Sequence, residues 1–149
     1  MIDPVAAFRA FLIDAAATFP GDVDRPGERL AENIYAVPDD NNPLADFPPE
    51  RRAIVIQIVP GTDGMHGLAT VRFYCRTYGN GAADAFAVAR WLYDLGTVVQ
   101  DGRRRMRSSV RMGASTAKWL RFSYPAATLD EDSRSIGFLD AVVRIDLYQ

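Results

Sequence analysis

The segment of residues 68–79, LATVRFYCRTYG, constrains the fold most, because apolar and polar side chains alternate along it without interruption. One face carries the apolar set Ala69, Val71, Phe73 and Cys75. The other face carries Thr70, Arg72, Tyr74 and Arg76. A period of two residues predicts a strand with one face in the core and one face outside it. The next run, residues 82–95, has helical spacing, so we expect a chain that combines sheet and helix.

Gly79, Asn80 and Gly81 lie between this strand and this helix, where a dinucleotide-binding enzyme places its phosphate loop. The position that needs a third small residue is Asp84, whose carboxylate would repel a pyrophosphate. The preceding strand also alternates, whereas a buried parallel strand is apolar throughout. These features favour a simple turn, in which the glycines adopt permissive dihedral angles and Asn80 caps the helix.

The rest of the chain predicts one more helix and four more strands. An Asp3-Pro4 start and a Pro20-Gly21 end bound an N-terminal helix. The predicted strands are residues 33–37 at an edge, 54–59 at the centre of a sheet, 118–125 (KWLRFSYP) and 138–149 (FLDAVVRIDLYQ). Residues 101–117 are expected to form a long basic loop. The whole chain, residues 1–149, is therefore predicted as one α+β domain in the order αβββαββ, with two main helices packed on one face of a mixed or antiparallel sheet of about five strands.

Charge and the rare side chains argue against several functions. With 17 basic and 19 acidic residues the net charge is -2, which provides no overall positive field for nucleic acid. The sole histidine, His66, has no partner suggested by spacing, so neither a metal site nor a general base is expected. The sole cysteine, Cys75, is expected to be a buried, inert thiol. No catalytic constellation or cofactor site can be assembled from these residues, and we expect a protein that is not an enzyme.

Three residues of the second predicted helix are candidates for an interface. Projection of this helix on a helical wheel places Arg90 and Asp94 in its polar sector, and Trp91 falls among them. Tryptophan is a common anchor in protein interfaces. The alternative is that a neighbouring loop of the same chain covers the indole.

Two clusters of arginine are further candidates. The stretch RRRMRSSVR places Arg103, Arg104, Arg105, Arg107 and Arg111 in one connection, and the first four are the interface candidates. Clustered guanidiniums dock on acidic protein surfaces or follow phosphates, and without interleaved aromatic residues we favour protein contact or plain solvation over sequence-specific nucleic-acid binding. The second cluster is the outward stripe Arg72, Tyr74 and Arg76. A mixed stripe of this kind suits a neighbouring subunit or solvent equally.

Taken together, several passages of the chain resemble the tail terminator (tail completion) proteins of long-tailed bacteriophages. They are the N-terminal helix, NIYAVPDDNNPLADFPPERRAIVIQIVPG, LATVRFYCRTYG leading into AADAFAVARWLYDL, and the closing IGFLDAVVRIDLYQ. The resemblance covers most of the chain. It lies in the order of the predicted elements, the chain length and the general character of the sequence, with no catalytic signature. It implies a small α+β subunit that assembles as a ring, commonly sixfold, on the head-proximal end of the tail tube.

The resemblance also implies a set of partners. They are further copies of this chain, the major tail tube protein and the head–tail connector or neck protein, while DNA passes through the ring without sequence-specific binding. The N-terminal stretch has charged residues and no basic leader, so synthesis in the host cytoplasm, no membrane partner and a final place in the virion are expected. A head-side neck or head completion protein is the alternative, and an enzyme or small-ligand binder is a third class. Because a ring needs two unlike surfaces on each subunit, the polar sector of the second helix and the outward sheet face are the candidates.

Overall fold

The structure is a computed structural model that describes residues 1–37, 50–59, 63–65 and 67–148. The helices are α1 (Pro4–Ala16) and α2 (Gly81–Leu95), with short 3-10 turns at Pro20–Asp24 and Leu30–Glu32. The strands are β1 (Ile34–Val37), β2 (Ala53–Ile58), β3 (Asp63–Met65), β4 (Leu68–Tyr78), β5 (Thr97–Gln100), β6 (Arg103–Met112), β7 (Ser115–Phe122), β8 (Ala126–Leu129) and β9 (Ser135–Asp146).

The strands form a mixed sheet in the order β1-β2-β4-β9-β7-β6-β5. Among the described strands, β1 and β2 are the only parallel pair. β3 pairs beside β4, and β8 continues the β7 side of β9. β5 joins this sheet only through the first half of β6, while β7 pairs with the second half. The hairpin of β5 and β6 therefore extends from the body of the sheet.

The predicted fold is wrong in the number and the order of its strands. The chain was expected to have about five strands in the order αβββαββ, whereas the described residues contain nine, in the order αββββαβββββ. The predicted basic loop of residues 101–117 is instead β6 and the start of β7. Strands β5, β6 and β8 are largely exposed on both faces, so they lack the apolar alternation by which a strand is recognised. The four-residue and three-residue strands β8 and β3 are also too short to show a period.

Both helices lie where their patterns predict them and pack into one core with the inner face of the sheet. The Asp3 carboxylate caps α1 as expected, because its Oδ1 accepts from the Val5 N–H at 2.9 Å. Phe8 stacks on Phe73 of β4 with ring centroids 4.5 Å apart, and Phe122 of β7 lies beside them. The alternation of β4 is confirmed, since its apolar residues are buried in this core.

Helix α2 approaches β9 closely enough to require a glycine. A Cβ on Gly137 would lie 2.7 Å from the Cβ of Ala89 and would overlap the hydroxyl of Thr77. The same hydroxyl is buried and donates to the Ala85 carbonyl at 2.7 Å. The contact sets the distance between α2 and the sheet. Because both helices pack on the inner face of the sheet, neither helix covers the opposite face, which we call the open face.

Candidate interaction surfaces

The turn before α2, residues 79–81, is held by a hydrogen bond to the side chain of Asp84 in the first turn of the helix. The backbone N–H of Asn80 donates to Asp84 Oδ2 at 2.8 Å, and Arg52 donates to Asp84 Oδ1 from Nε at 3.0 Å and from Nη2 at 2.8 Å. Asn80 is the N-cap residue of α2, as predicted, but its side chain makes no capping hydrogen bond. The turn interpretation is supported, since β4 is antiparallel to both β2 and β9 and belongs to no βαβ unit with them.

The charge of Asp84 is stabilised by this arrangement. Burial by itself would raise the pKa of Asp84, but hydrogen bonds from Arg52 and Asn80 and the positive charges of Arg52 and Arg25 outweigh it and lower the pKa below its ordinary value. Arg52 also donates from Nη1 to the Gly21 carbonyl at 2.7 Å. The ion pair thus joins three segments that are distant in sequence, and nothing in the local patterns predicted it.

The indole of Trp91 is half-buried and is partly covered by its own chain. Its ring meets Phe19 edge to face, with centroids 5.0 Å apart and planes at 76°. The remaining surface of Trp91 lines a cavity of about 340 Å³ together with Asp14 and Arg107. The alternative that a neighbouring segment covers the indole therefore describes the contact with Phe19, while one side of the ring still borders solvent. Arg90 and Asp94 are exposed, as the wheel predicts.

The outward stripe of β4 lies on the open face of the sheet, away from the helices. Arg72 Nη2 donates to Asp140 Oδ2 of β9 at 2.7 Å, and this hydrogen bond and charge raise the pKa of Arg72. Tyr74 packs against Phe138 of β9 with centroids 5.6 Å apart. Arg76 borders the same face farther along β4. The open face therefore carries arginine and aromatic side chains together, which is the composition that interfaces favour.

The arginines of residues 103–105 lie on the hairpin that we call the arm, residues 97–106. Every residue from 98 to 106 is exposed, including Val98, Val99 and Met106. The turn at its tip is Asp101-Gly102, whose φ angles of 51° and 73° fit a two-residue hairpin turn of the primed type. An Asp-Gly pair between two strand-like runs is the sequence signal that could have identified this hairpin.

The four predicted arginines do not act as one cluster. Arg104 Nη1 donates to Asp94 Oδ1 of α2 at 3.1 Å, which ties the arm to the helix-covered side of the molecule. Arg103 and Arg105 form no ion pair with another described residue. Arg107 lies apart from the arm surface, because its guanidinium sits over the Phe11 ring at 5.4 Å and donates to the Leu95 carbonyl.

A groove that sequence reasoning missed runs along β8 on the open face, and we call it the β8 groove. Its volume is about 570 Å³. It is lined by Arg76, Ala126, Ala127, Thr128, Leu129, Asp130, Glu131, Ile136 and Phe138. All four residues of β8 are exposed, and Leu129 is 61% exposed. Its lining combines apolar residues with the positive charge of Arg76 and with the carboxylates of Asp130 and Glu131 in the turn that follows β8.

The part of the chain that the structure describes brings together few side chains that could act in catalysis or bind a metal ion. Cys75 is buried, as predicted, and burial raises the pKa of its thiol, which disfavours the reactive thiolate. The described residues hold no group of three or more His, Cys, Asp or Glu side chains placed to bind a metal ion. His66 lies outside the described residues. None of the described helices has the length and apolar character needed to cross a bilayer.

Comparison with known proteins gives no family assignment. No protein-family model matches the chain, and no significant relative is found among curated proteins. The surfaces described above are therefore the basis on which a function is argued.

Proposed function

We propose that this chain is a structural virion protein of a long-tailed bacteriophage. Its copies form a ring, sixfold as in the proteins that it resembles, on the head-proximal end of the tail tube. The ring ends polymerisation of the tube and provides the joint to the head connector. DNA passes through its centre, and no bond is made or broken by the protein.

The main support for the proposal is that one small subunit has two different surfaces suited to protein–protein contact. Val99 and Met106 of the arm are 69% and 47% exposed, and no other segment among the described residues covers them. Such exposure of apolar side chains to water is unfavourable. The open sheet face and the β8 groove lie on the side away from the helices. A ring requires contacts between two different surfaces of each subunit, and this chain offers such a pair.

The open sheet face also supports a role in joining larger partners. Arg72, Tyr74 and Phe138 present charge and aromatic surface together on strands whose backbone is held rigidly in the middle of the sheet. Protein interfaces are enriched in tyrosine, phenylalanine and arginine, because these side chains bury large areas. The tube protein and the connector are the partners proposed for the surfaces that the ring contact leaves free.

The test is tail assembly with and without this protein, observed by negative-stain electron microscopy. Particles that lack it should carry abnormally long or headless tails, and the purified chain should add to one end of isolated tail tubes. The variant with Arg103→Glu and Arg105→Glu should fail to cap, whereas Arg111→Glu, an exposed arginine on the same strand outside the arm, should cap normally.

Three results would contradict the proposal. Tails of ordinary length and attachment in the absence of the protein would remove the terminator role. Binding to DNA-filled heads without tails, with no affinity for tubes, would favour a head completion protein. A ligand-dependent rise in the melting temperature of the isolated chain, with no binding to tubes or heads, would favour a small-molecule binder.

A further inference from the structure

We propose that the open face of the sheet carries the docking site for the head connector, and that this site recognises carboxylates on the connector surface. The inference rests on the proposed function, because it names the part of the chain that makes the joint to the head. The site, which we call the sheet patch, comes from the neighbouring strands β4, β9 and β7. It consists of Arg72, Trp119, Arg121, Val142 and Arg144.

The strand register brings the members of the sheet patch onto one face. Arg72 of β4 and Arg121 of β7 both lie opposite Val142 of β9, so the two arginines flank this valine. Trp119 lies opposite Arg144 in the adjoining row. Residues directly opposite each other on paired strands share a face, and the residues that alternate with these on β4 and β9 are buried in the core. The sheet patch therefore lies on the face that the helices leave uncovered.

Each arginine of the sheet patch is held in place by a neighbour on the same face. Arg144 Nη1 donates to Thr70 Oγ1 at 2.6 Å, and the Arg121 guanidinium lies over the Trp119 ring, 5.7 Å from its centroid. Arg72 is held by its ion pair with β9, described above. A guanidinium has five N–H donors, so each of the three keeps donors for a partner. Side chains that are ordered beforehand lose less entropy when they bind.

The carboxylates of this face are too few for its arginines. Arg72 has Asp140 as its partner, whereas Arg121 and Arg144 form no ion pair with another described residue. Asp146 shares the face at the end of β9, and it too lies in no ion pair among the described residues. The sheet patch thus has an excess of positive charge, and a surface that presents carboxylates complements it.

Apolar surface lies between the charges. Val142 and Trp119 are half-buried, and a cavity of about 330 Å³ is lined by Val142 together with Arg72 and Arg121. Neighbouring strands are about 4.8 Å apart, so the backbones of the two arginines lie about 10 Å apart on either side of the valine. The sheet patch therefore fits a protein surface on which an apolar side chain stands between two carboxylates.

The connector is the partner that remains for this face. Reversal of the charges of Arg103 and Arg105 is expected to abolish capping, which assigns the contact with the tube to the arm. Arg104 ties the arm to Asp94 of α2, on the helix-covered side of the molecule. The sheet patch lies on the opposite face, so a subunit that is seated on the tube by its arm keeps the patch free for the structure beyond the ring.

DNA is the competing partner for a positive surface. A phosphate backbone would engage the guanidiniums and leave Val142 and Trp119 without an apolar contact. Interfaces with DNA are also much more positively charged than interfaces between proteins, whereas this chain has a net charge of -2. An acidic protein surface that includes an apolar side chain satisfies the arginines and the valine together.

Joining of capped tubes to DNA-filled heads tests the site. Isolated tail tubes are capped with the unmodified chain or with the double variant Arg121→Glu and Arg144→Glu, and joined particles are counted by negative-stain electron microscopy. The double variant should cap tubes normally, which also shows that it folds. It should join heads at least about tenfold less often, since like charges then face each other.

Single charge reversals provide the matched control. Arg121→Glu, at an exposed position of the sheet patch, should by itself reduce joining. Arg29→Glu reverses an exposed charge outside the sheet and should join heads as often as the unmodified chain. Joining that stays unchanged in the double variant, or that falls equally in Arg29→Glu and Arg121→Glu, overturns the proposal.

Photochemical crosslinking identifies the partner. Ser123→Cys is exposed and borders the same cavity as Arg121, so benzophenone maleimide attached there is irradiated in joined particles. Cys75 is buried and stays unlabelled. A product with the connector protein, identified by mass spectrometry, is expected. Products only with the tube protein, with a second copy of this chain or with DNA would each overturn the proposal and assign the face to that partner.

The outcomes also separate the sheet patch from the terminator role. Normal capping with joining that is insensitive to the double variant keeps the terminator role and rejects the patch. A chain that caps no tubes rejects the terminator role. In that case the patch is still supported if the chain binds DNA-filled heads in sedimentation and the double variant does not, and it is rejected if both bind equally or neither binds.

Discussion

Replacing Asp84 with alanine removes the group on which three segments of the chain converge. Its Oδ1 accepts from Arg52 Nη2 at 2.8 Å and from Arg52 Nε at 3.0 Å. Its Oδ2 accepts from the Asn80 N–H at 2.8 Å and shares the Arg52 Nε–H at 3.2 Å. Arg25 lies 3.5 Å from Oδ2. The side chains of Asp84 and Arg52 are only 18% and 12% exposed, so the pair is largely shielded from water.

The magnitude follows from these contacts. Loss of a carboxylate that satisfies a backbone N–H at a helix start costs about 1 kcal/mol. Leaving a fully buried charge without its partner costs about 3–5 kcal/mol, and Arg52 falls short of that because it keeps some water and the Gly21 carbonyl at 2.7 Å. We therefore expect Asp84→Ala to lower the free energy of unfolding by about 2–4 kcal/mol. For a domain of this length that lowers the melting temperature by about 5–15 °C.

Thermal and urea unfolding followed by circular dichroism measure the effect. The control is Asp94→Ala on the same helix, whose ion pair with Arg104 is 58% and 62% exposed on its two side chains. Exposed pairs contribute about 0–1 kcal/mol, so the control should unfold close to the unmodified protein. Equal losses in the two variants would refute the view that shielding of the Arg52–Asp84 pair makes it stabilising.

Three further predictions concern the same scaffold. Gly137→Ala should cost about 1–3 kcal/mol in urea unfolding, because its Cβ would overlap Thr77 and Ala89, and a variant as stable as the parent would contradict that approach distance. Because the pKa of Asp84 is lowered in the folded state, its carboxylate stabilises the fold at pH values above the unfolded pKa of about 3.9, and this stabilisation is lost as the pH falls through the folded pKa. The difference in unfolding free energy between the parent and Asp84→Asn should therefore become smaller from pH 5 to pH 2. A difference that stays constant over this range would be inconsistent with the lowered pKa. Cys75 should resist maleimide in the native state and react only after unfolding, so labelling at the rate of a free thiol would show that the inner face of β4 is accessible.

Local periodicity was a good guide where an element has one buried face. The alternation of residues 68–79 predicted β4, and helical spacing predicted α2 within one residue of its observed bounds and the start of α1. The predicted end of α1 at Pro20-Gly21 is wrong, because the helix ends earlier, at Ala16. The Asp3 cap and the buried Cys75 follow from the same local patterns. Neighbouring residues specify these features, because burial of one face of a helix or strand imposes a period on the apolar side chains.

Periodicity was a poor guide where a strand is exposed on both sides. β5, the first half of β6 and β8 have polar or mixed sequences, and they are strands because of the partners with which they pair. The residues predicted for the interface were correspondingly divided by the structure among the arm, the open sheet face and the cavity beside Trp91. Arg107 was grouped with the arm by its sequence neighbours, although its guanidinium packs on Phe11.

The amino-acid sequence by itself determined the two helices, the central alternating strand and the inward and outward sides of β4. Only the tertiary structure decided that Arg52 meets Asp84, that the basic segment is a hairpin arm, and that β8 borders a groove with an acidic turn. The reason is the range over which each is specified. A period needs only a few successive residues, whereas an ion pair across 32 positions or a groove between strands exists only once the sheet has set its register.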